Sequence, residues 1–253
     1  MAMTAFAVIF PAAGQSSRFK DKEKKPFVNL DGRAVWLRTV ERFVSRPDVA
    51  QCIVVVSPED QDLFRIRFGA NLAFMNVQIA TGGRERFESV ANALALVKPE
   101  VDFVAVHDAV RPCVTEKLIT EVFAKATQTG AAMLAVPVTD TVKRAENQKV
   151  KETVARQGLW LAQTPQVFRR DWLTEAYADR AKLGANITDD AQLLEAAGRV
   201  VHLVEGSTTN LKITTRTDLM LAEAILKAQP KPKPGGFANP FAEEEMWGGR
   251  GLK

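Results

Sequence analysis

Cysteine is scarce: only Cys52 and Cys113 occur among 253 residues. Neither belongs to a cluster of metal-ligating side chains, which argues against a disulfide scaffold or a zinc centre. Cys52 opens an apolar run and reads as a core thiol, while Cys113 follows an Arg-Pro pair. Histidine is as rare, with His107 and His202 alone. No apolar stretch reaches the length of a bilayer span. The first residues lack the basic start, apolar run and cleavage pattern of a secretory signal. A cytoplasmic protein with no membrane contact is expected. Charge of one sign is lacking too: 34 basic and 30 acidic side chains leave a net +4. They are mixed along most of the chain, so nucleic acid is not expected as a partner, and small acidic ligands suit the balance. No internal repeat is present.

What is present is alternation. The chain is 46% hydrophobic, enough for one large domain or two small ones. Short apolar runs ("AFAVIF", "QCIVVVS", "NVQIA", "VDFVAVH", "AAMLAVPV", "VVHLVEG", "NLKIT") read as strands. Between them lie helical stretches: around Val35–Val44, Glu59–Phe68, Arg86–Leu96, Thr115–Thr127, Trp172–Leu183, Asp189–Ala197 and Thr217–Ala228. The pattern predicts βαβ units and a mostly parallel α/β sheet covered on both faces. Ligands in such sheets sit beyond the carboxyl ends of the strands. Those ends are Ala12–Lys25, Gly82–Arg86, His107–Arg111 and Pro137–Arg144. The stretch 139–156 breaks the rhythm and reads as a projecting β-arm. Residues 1–228 read as the domain. Residues 229–253 read as a tail outside it, because prolines spaced by lysines prevent a continuous helix.

The first loop, "PAAGQSSRFKDKEKKPF", lacks the three-glycine dinucleotide fingerprint and the Gly-Lys-Ser/Thr ending of a P-loop. It still carries a glycine, two hydroxyls and a dense run of cations. Gly14 lets backbone amides approach an oxyanion. Arg18 offers a fixed fork of donors and Lys25 a mobile point charge, so a polyphosphate fits the loop. An ordinary strand-to-helix loop with a solvated lysine run accounts for the composition equally well.

Seven segments occur in order: "PAAGQSSRF...KKPF", "GGRERFESV", "HDAVRPCV", "PVTDTVKR", "LWLAQTPQVF", "NITDDAQLLE" and "NLKITTRTDLMLAE". Together they resemble the 2-C-methyl-D-erythritol 4-phosphate cytidylyltransferases of non-mevalonate isoprenoid biosynthesis, over about residues 5–228. The resemblance implies a Rossmann-like nucleotidyltransferase fold, CTP and a small polyol phosphate as ligands, Mg²⁺ as cofactor, and a homodimer whose exchanged β-arms complete each site. Enzymes that make CDP-ribitol from D-ribitol 5-phosphate share much of this pattern. A third reading is a non-enzymatic nucleotide-binding protein whose basic tail recruits another macromolecule.

Residue by residue, the resemblance places Ala12, Ala13 and Gly14 along the nucleotide, and Arg18 and Lys25 on its phosphates. This chain has Ser16 where the family often has glycine, and Lys24-Lys25-Pro26 where it often reads Pro-Lys-Gln. Counting from Arg18 selects Lys25, with Lys24 the alternative. Gly83 and Ser89 fall near cytosine and Arg86 beside the same pocket, although Ser89 also suits a local backbone hydrogen bond. Asp108 is implied as the Mg²⁺ ligand and a substrate contact, and Arg111 as an anchor for the acceptor phosphate or part of its site wall. Thr141, Thr164 and Arg156 are implied on the acceptor side, with Arg156 crossing the dimer interface, and Lys212 near the transferring phosphoryl group and the acceptor; Arg18, Lys25, Arg156 and Lys212 are the implied catalytic charges. Lys143, Arg144, Lys149 and Lys151 read as solvated charges of the arm. His107 and His202 read as structural, since an incoming phosphate is already an anion and needs no general base. In "ITDDA", Thr188 reads as a helix cap and Asp189 as a first-turn acid, and the resemblance sets them near the active centre, with Asp189 helping to position the metal or a lysine.

Overall fold

Strand β1 (Phe6–Pro11) buries every residue but its last. Phe6, Val8 and Phe10 enter one core and Ile9 the other, the period-two alternation of a strand covered on both faces. The computed structural model describes residues 4–14, 24–180 and 188–230. A small antiparallel pair, β2 (Asn29–Leu30) and β3 (Arg33–Ala34), leads into helix α1 (Val35–Val44). Strand β4 (Val49–Val56), helix α2 (Gln61–Phe74), strand β5 (Val77–Thr81), helix α3 (Arg86–Leu94), strand β6 (Phe103–Val106), helix α4 (Glu116–Thr129) and strand β7 (Ala131–Pro137) continue the alternation. The arm is strands β8 (Val142–Glu146) and β9 (Lys149–Val154). Strand β10 (Trp160–Arg169), helices α5 (Arg170–Ala178) and α6 (Asp190–Ala196), strand β11 (His202–Glu205) and helix α7 (Arg216–Ala228) complete the order.

The main sheet has seven strands in the order β11-β7-β10-β6-β1-β4-β5. Strand β10 alone runs antiparallel to its neighbours, β6 and β7. The chain leaves β1 toward β4 and β5, then returns to place β6 on the other side of β1. That reversal is the topological switch point where ligands bind in open α/β sheets. Helices α1, α2 and α4 cover one face, where Trp36, Phe43, Phe64 and Phe68 join Phe10 and Val54. Helices α3, α5 and α6 cover the other, with Val90, Leu173 and Leu194 on Ile9, Val55 and Val106. Each such side chain contributes about 1.5–3 kcal/mol on burial. Helix α7 closes a smaller cluster with Val35, Cys113, Ile213 and Ala222. Among the described residues no helix is long and apolar enough to cross a membrane.

The structure departs from the sequence reading in several places. "LWLAQTPQVF" was not among the expected strands, yet it forms β10 near the middle of the sheet. Pro165 argues against a central strand; the ladder with β7 accommodates it by a register shift between Ala162 and Gln166, beside a cis Thr164–Pro165 bond. "NLKIT" is not a strand. It is held by the Ile213 N–H donating to the Val110 carbonyl at 2.9 Å, which brings Lys212 to the end of β6. Helix α5 begins at Arg170 and ends at Ala178, while 181–187 lie outside the described residues. The cap of α6 is Asp189, whose side chain accepts from the Gln192 N–H at 2.9 Å; Thr188 sits before it. Of the tail, 231–253 lie outside the described residues. Gln229 still bonds the domain, donating to the Cys113 carbonyl at 2.8 Å.

The arm is a hairpin turned at Asn147 and Gln148, both at positive φ (49° and 63°), as a tight two-residue hairpin turn requires. Lys143 donates to Thr153 at 2.6 Å, Arg144 pairs with Glu152 at 2.6 Å and Lys151 with Glu146 at 3.2 Å. These cross-strand pairs fit the expectation of solvated arm charges.

Helix α4 starts at Thr115, whose hydroxyl accepts from the Leu118 N–H, and ends at Gly130 with φ 88°. A Cβ at Gly130 would lie 2.3 Å from the Trp172 ring. Gly130→Ala therefore combines an unfavourable φ with overpacking, and should lower unfolding stability by about 1–3 kcal/mol in urea denaturation. Unchanged stability would show that the ring can move aside.

Candidate active site

At the carboxyl edge of β1, β5 and β6 lies a cavity of about 260 Å³. Ala12, Ala13 and Gly14 line it from the loop after β1, and Lys25 from the short helical turn that follows. Gly83, Arg84, Arg86 and Ser89 line it from the β5–α3 turn, Asp108 from the end of β6 and Lys212 from the segment before α7. Nine residues singled out from the sequence thus meet in one place: Ala12, Ala13, Gly14, Lys25, Gly83, Arg86, Ser89, Asp108 and Lys212. Arg18, Ser16, Ser17 and Lys22 lie outside the described residues.

The glycine wall is fixed by close approach. The Gly82 N–H donates to the Val56 carbonyl at 2.8 Å, and a Cβ there would meet the Ala13 Cβ at 2.6 Å. A Cβ on Gly83 would come within 2.3 Å of the Glu88 Cβ. Glu85 and Glu88 form a reciprocal capping box at the start of α3, and Glu88 also accepts from the Arg84 N–H at 2.6 Å. The Ser89 hydroxyl donates to the Glu85 carbonyl at 3.1 Å and accepts from the Gly83 N–H at 3.0 Å. It therefore shapes the turn that lines the cavity.

Lys24 and Lys25 part company here. Lys24 Nζ is held by Ser57 at 3.1 Å, Glu59 at 3.1 Å and Asp60 at 2.5 Å, all in the turn after β4. Lys25 lines the cavity. Adjacent lysines in a tight turn point apart, and the acids after β4 take the first.

Asp108 is the electrostatic centre. It is only 8% exposed, yet Lys212 Nζ lies 3.1 Å and Arg111 Nε 3.0 Å from its Oδ2. Burial favours the neutral acid, but the charges of Lys212, Arg111 and Arg86 prevail and hold Asp108 well below the usual carboxylate range. It is an ionised carboxylate whose oxygens only accept. Among the described residues no three His, Cys, Asp or Glu side chains gather to hold a metal. One carboxylate still fits Mg²⁺, which keeps waters and takes phosphate oxygens, and both cations engage the same Asp108 oxygen.

Arg111 and Thr164 do not line the cavity; they support it. Arg111 also donates to the Asn210 carbonyl at 2.7 Å, tying the Lys212 segment to β6. Thr164 Oγ1 accepts from the Asp108 N–H at 3.0 Å and lies 3.2 Å from His107 Nδ1. His107 Nε2 lies 3.2 Å from the Arg111 carbonyl, which can only accept. The ring proton is therefore on Nε2, and Nδ1 accepts from the Thr164 hydroxyl. Burial pushes His107 down to about 4, so it is neutral and structural. Thr141 and Arg156 are exposed on and beside the arm, and Arg156 donates to the Thr139 carbonyl. Neither lines the cavity of its own chain.

Sequence reasoning missed Asp190. It is 1% exposed, accepts from Arg86 Nη2 at 2.7 Å and from the Tyr177 hydroxyl at 2.5 Å. Only its position beside Asp189 in the first turn of α6 was a signal. Asp189 itself accepts from Gln166 Nε2 at 2.8 Å and so fastens α6 to β10.

Residues 6–228 match the family model described as "IspD: 2-C-methyl-D-erythritol 4-phosphate cytidylyltransferase". The 2-C-methyl-D-erythritol 4-phosphate cytidylyltransferase of Rhodopirellula baltica is 44% identical over 232 residues, covering 87% of this chain and 94% of that protein. The enzyme of the same description from Bacillus velezensis is 41% identical over 225 residues, covering 88% and 97%. Among solved structures, the Thermus thermophilus 2-C-methyl-D-erythritol 4-phosphate cytidylyltransferase superposes with TM-score 0.72 at 32% identity, over 89% of this chain and all of that one. The 4-diphosphocytidyl-2C-methyl-D-erythritol synthase of Anaerococcus prevotii superposes at 0.76 with 27% identity and the same coverage.

The support given by Thr164 is open to test. Thr164→Val strands the Asp108 N–H and His107 Nδ1 without partners, and should reduce unfolding stability by about 1–3 kcal/mol. Thr164→Ser should retain most of it. Equal stability of the Val and Ser variants in urea denaturation would contradict the assigned network.

Proposed function

The chain belongs to the 2-C-methyl-D-erythritol 4-phosphate cytidylyltransferase family, and we propose that it transfers CMP from CTP to 2-C-methyl-D-erythritol 4-phosphate, giving 4-CDP-2-C-methyl-D-erythritol and pyrophosphate. The observation that carries this reading is the gathering of Lys25, Arg86, Asp108 and Lys212 around one glycine-walled cavity at the switch point of the sheet. An oxygen of the acceptor phosphate attacks the α-phosphorus of CTP, and the bond to the pyrophosphate oxygen breaks. The nucleophile is already an anion, so no protein base removes a proton. The chain must neutralise charge and hold the partners in line.

Ala12, Ala13, Gly14, Gly83 and Ser89 form the nucleotide wall, kept narrow by small side chains. Lys25, together with Arg18 from the first loop, neutralises the triphosphate. Lys212 stands where it can contact the transferring phosphoryl group while held beside Asp108 at 3.1 Å. Asp108 would hold Mg²⁺, which when bound supplies Lewis-acid neutralisation of phosphate charge. Arg111 acts from behind, keeping Asp108 ionised and in place.

The acceptor side is completed by a second copy of the chain. Arg156 and Thr141 are exposed on a projecting arm, away from their own cavity. Val150 on the arm and Leu161 at its root are 66% and 59% exposed, apolar surface that a homodimer would cover. Sedimentation at assay concentration should show a dimer. Mixed dimers of Asp108→Ala and Arg156→Ala protomers should regain activity through one intact composite site. A fully active monomer, or well-folded mixed dimers with no recovery, would count against the crossed arm.

The reaction itself is tested by following pyrophosphate release from CTP with Mg²⁺ and either 2-C-methyl-D-erythritol 4-phosphate or D-ribitol 5-phosphate. Release with the first is expected. Preference for the second would replace the acceptor, and release with neither would defeat the enzymatic reading. Lys25→Met should lower kcat/KM on the order of 10 to 100-fold, the equivalent of one charge-assisted contact. Lys24→Met should instead lower the melting temperature, with a smaller loss of turnover. A reversal of the two would place the phosphate contact on Lys24.

A further inference from the structure

Arg86 stands between two carboxylates. Its guanidinium donates to Asp190 at 2.7 Å, and Asp108 lines the same cavity. Asp190 is buried, and its other oxygen is held by the Tyr177 hydroxyl at 2.5 Å. Arg86 keeps 35% of its side chain exposed and lines the cavity. The anion is therefore fixed and the cation reaches outward.

The position of Asp190 is set by the sheet. Gln166 of β10 donates to Asp189 at 2.8 Å and accepts from the Ala191 N–H at 3.1 Å, gripping α6 on both sides of Asp190. Gln166 itself pairs with Val106 of β6, two residues before Asp108. The element that aims Arg86 and the strand that presents Asp108 thus form one rigid frame. A guanidinium has five donors, and a carboxylate that holds one edge of the fork orients the rest.

We propose that Asp190, braced by Tyr177, is a positioning residue that holds the Arg86 fork on the nucleotide wall. Without Asp190, the fork loses the carboxylate that fixes one of its edges, and its remaining donors are no longer aimed at the cavity. The inference rests on the cytidylyltransferase reading and adds to it two residues, 177 and 190, that do not line the cavity themselves. The competing view is a brace that merely joins α3 to α6.

Calorimetric titration of CTP in the presence of Mg²⁺ and without acceptor separates the two views. Asp190→Asn, nearly isosteric and still able to bond Tyr177, should weaken CTP binding on the order of tenfold. Its KM for the acceptor polyol phosphate should change far less. Tyr177→Phe, which leaves the ion pair in place, should weaken CTP binding by a smaller factor. Arg86→Met combined with Asp190→Asn should bind CTP no worse than Arg86→Met alone, because Asp190 acts through Arg86. Unchanged CTP affinity in a folded Asp190→Asn protein would overturn the proposal. So would independent, multiplying losses in the double variant. Failure of the wild-type protein to bind CTP is a separate result, which removes the underlying reading.

Discussion

A carboxylate buried at the end of a strand survives as an anion only among cations, and Asp108 is surrounded by Lys212, Arg111 and Arg86. Each cation comes from a different part of the chain. Arg111 is three residues along in the same loop, Arg86 opens α3, and Lys212 precedes α7. Removing any one shifts the balance for the others, because the desolvation cost of Asp108 is met by the group and not by a single pair. The cluster also fixes geometry. Arg111 draws in the Asn210 carbonyl, and Asn210 donates to the Thr164 carbonyl at 2.9 Å, so one charge centre ties together β6, β10 and the segment before α7.

The glycine wall obeys a different constraint, contact between backbones. Gly82 lies against Ala13, and Gly83 against Glu88. Small residues at 12, 13, 82 and 83 let two loops from separate strands pack together, with the Ala12 and Gly82 N–H groups donating to the Val55 and Val56 carbonyls and the Gly83 N–H to the Ser89 hydroxyl. The lysine-rich first turn follows the same economy. Its Lys24 anchors the turn to Ser57, Glu59 and Asp60, while Lys25 faces the cavity. The charge density that stands out in the sequence divides into an anchor and a cavity-lining group.

Much of this was legible in the chain. Runs of Val, Ile and Ala long enough for one strand, separated by amphipathic helices, pointed to a mostly parallel sheet covered on both faces. The sheet in turn placed the loops after β1, β5 and β6 at one edge. Glycines in two of those loops, with Asp108 in the third, marked the site before any contact was known. The arm showed itself because its residues have neither a helical period nor a buried face. Strand β10 did not show itself, because Pro165 and the exposed residues before it mask a buried half that only its neighbours β6 and β7 define.

Residue identity determined which chemistry was possible: cations for phosphate, one carboxylate for a hard metal ion, glycines for close approach. Tertiary structure decided which residues are turned toward that chemistry. It placed Ser89 and Thr164 in backbone support, set Arg111 behind Asp108, gave Lys24 to the acids after β4, and brought Asp190 to Arg86 from 104 residues away. The physical reason is range. Strand, helix and turn preferences act within a few residues and can be read along the chain. A buried ion pair or a hydrogen bond across the sheet joins groups whose separation in sequence carries no signal, and it exists only once the core has brought them together.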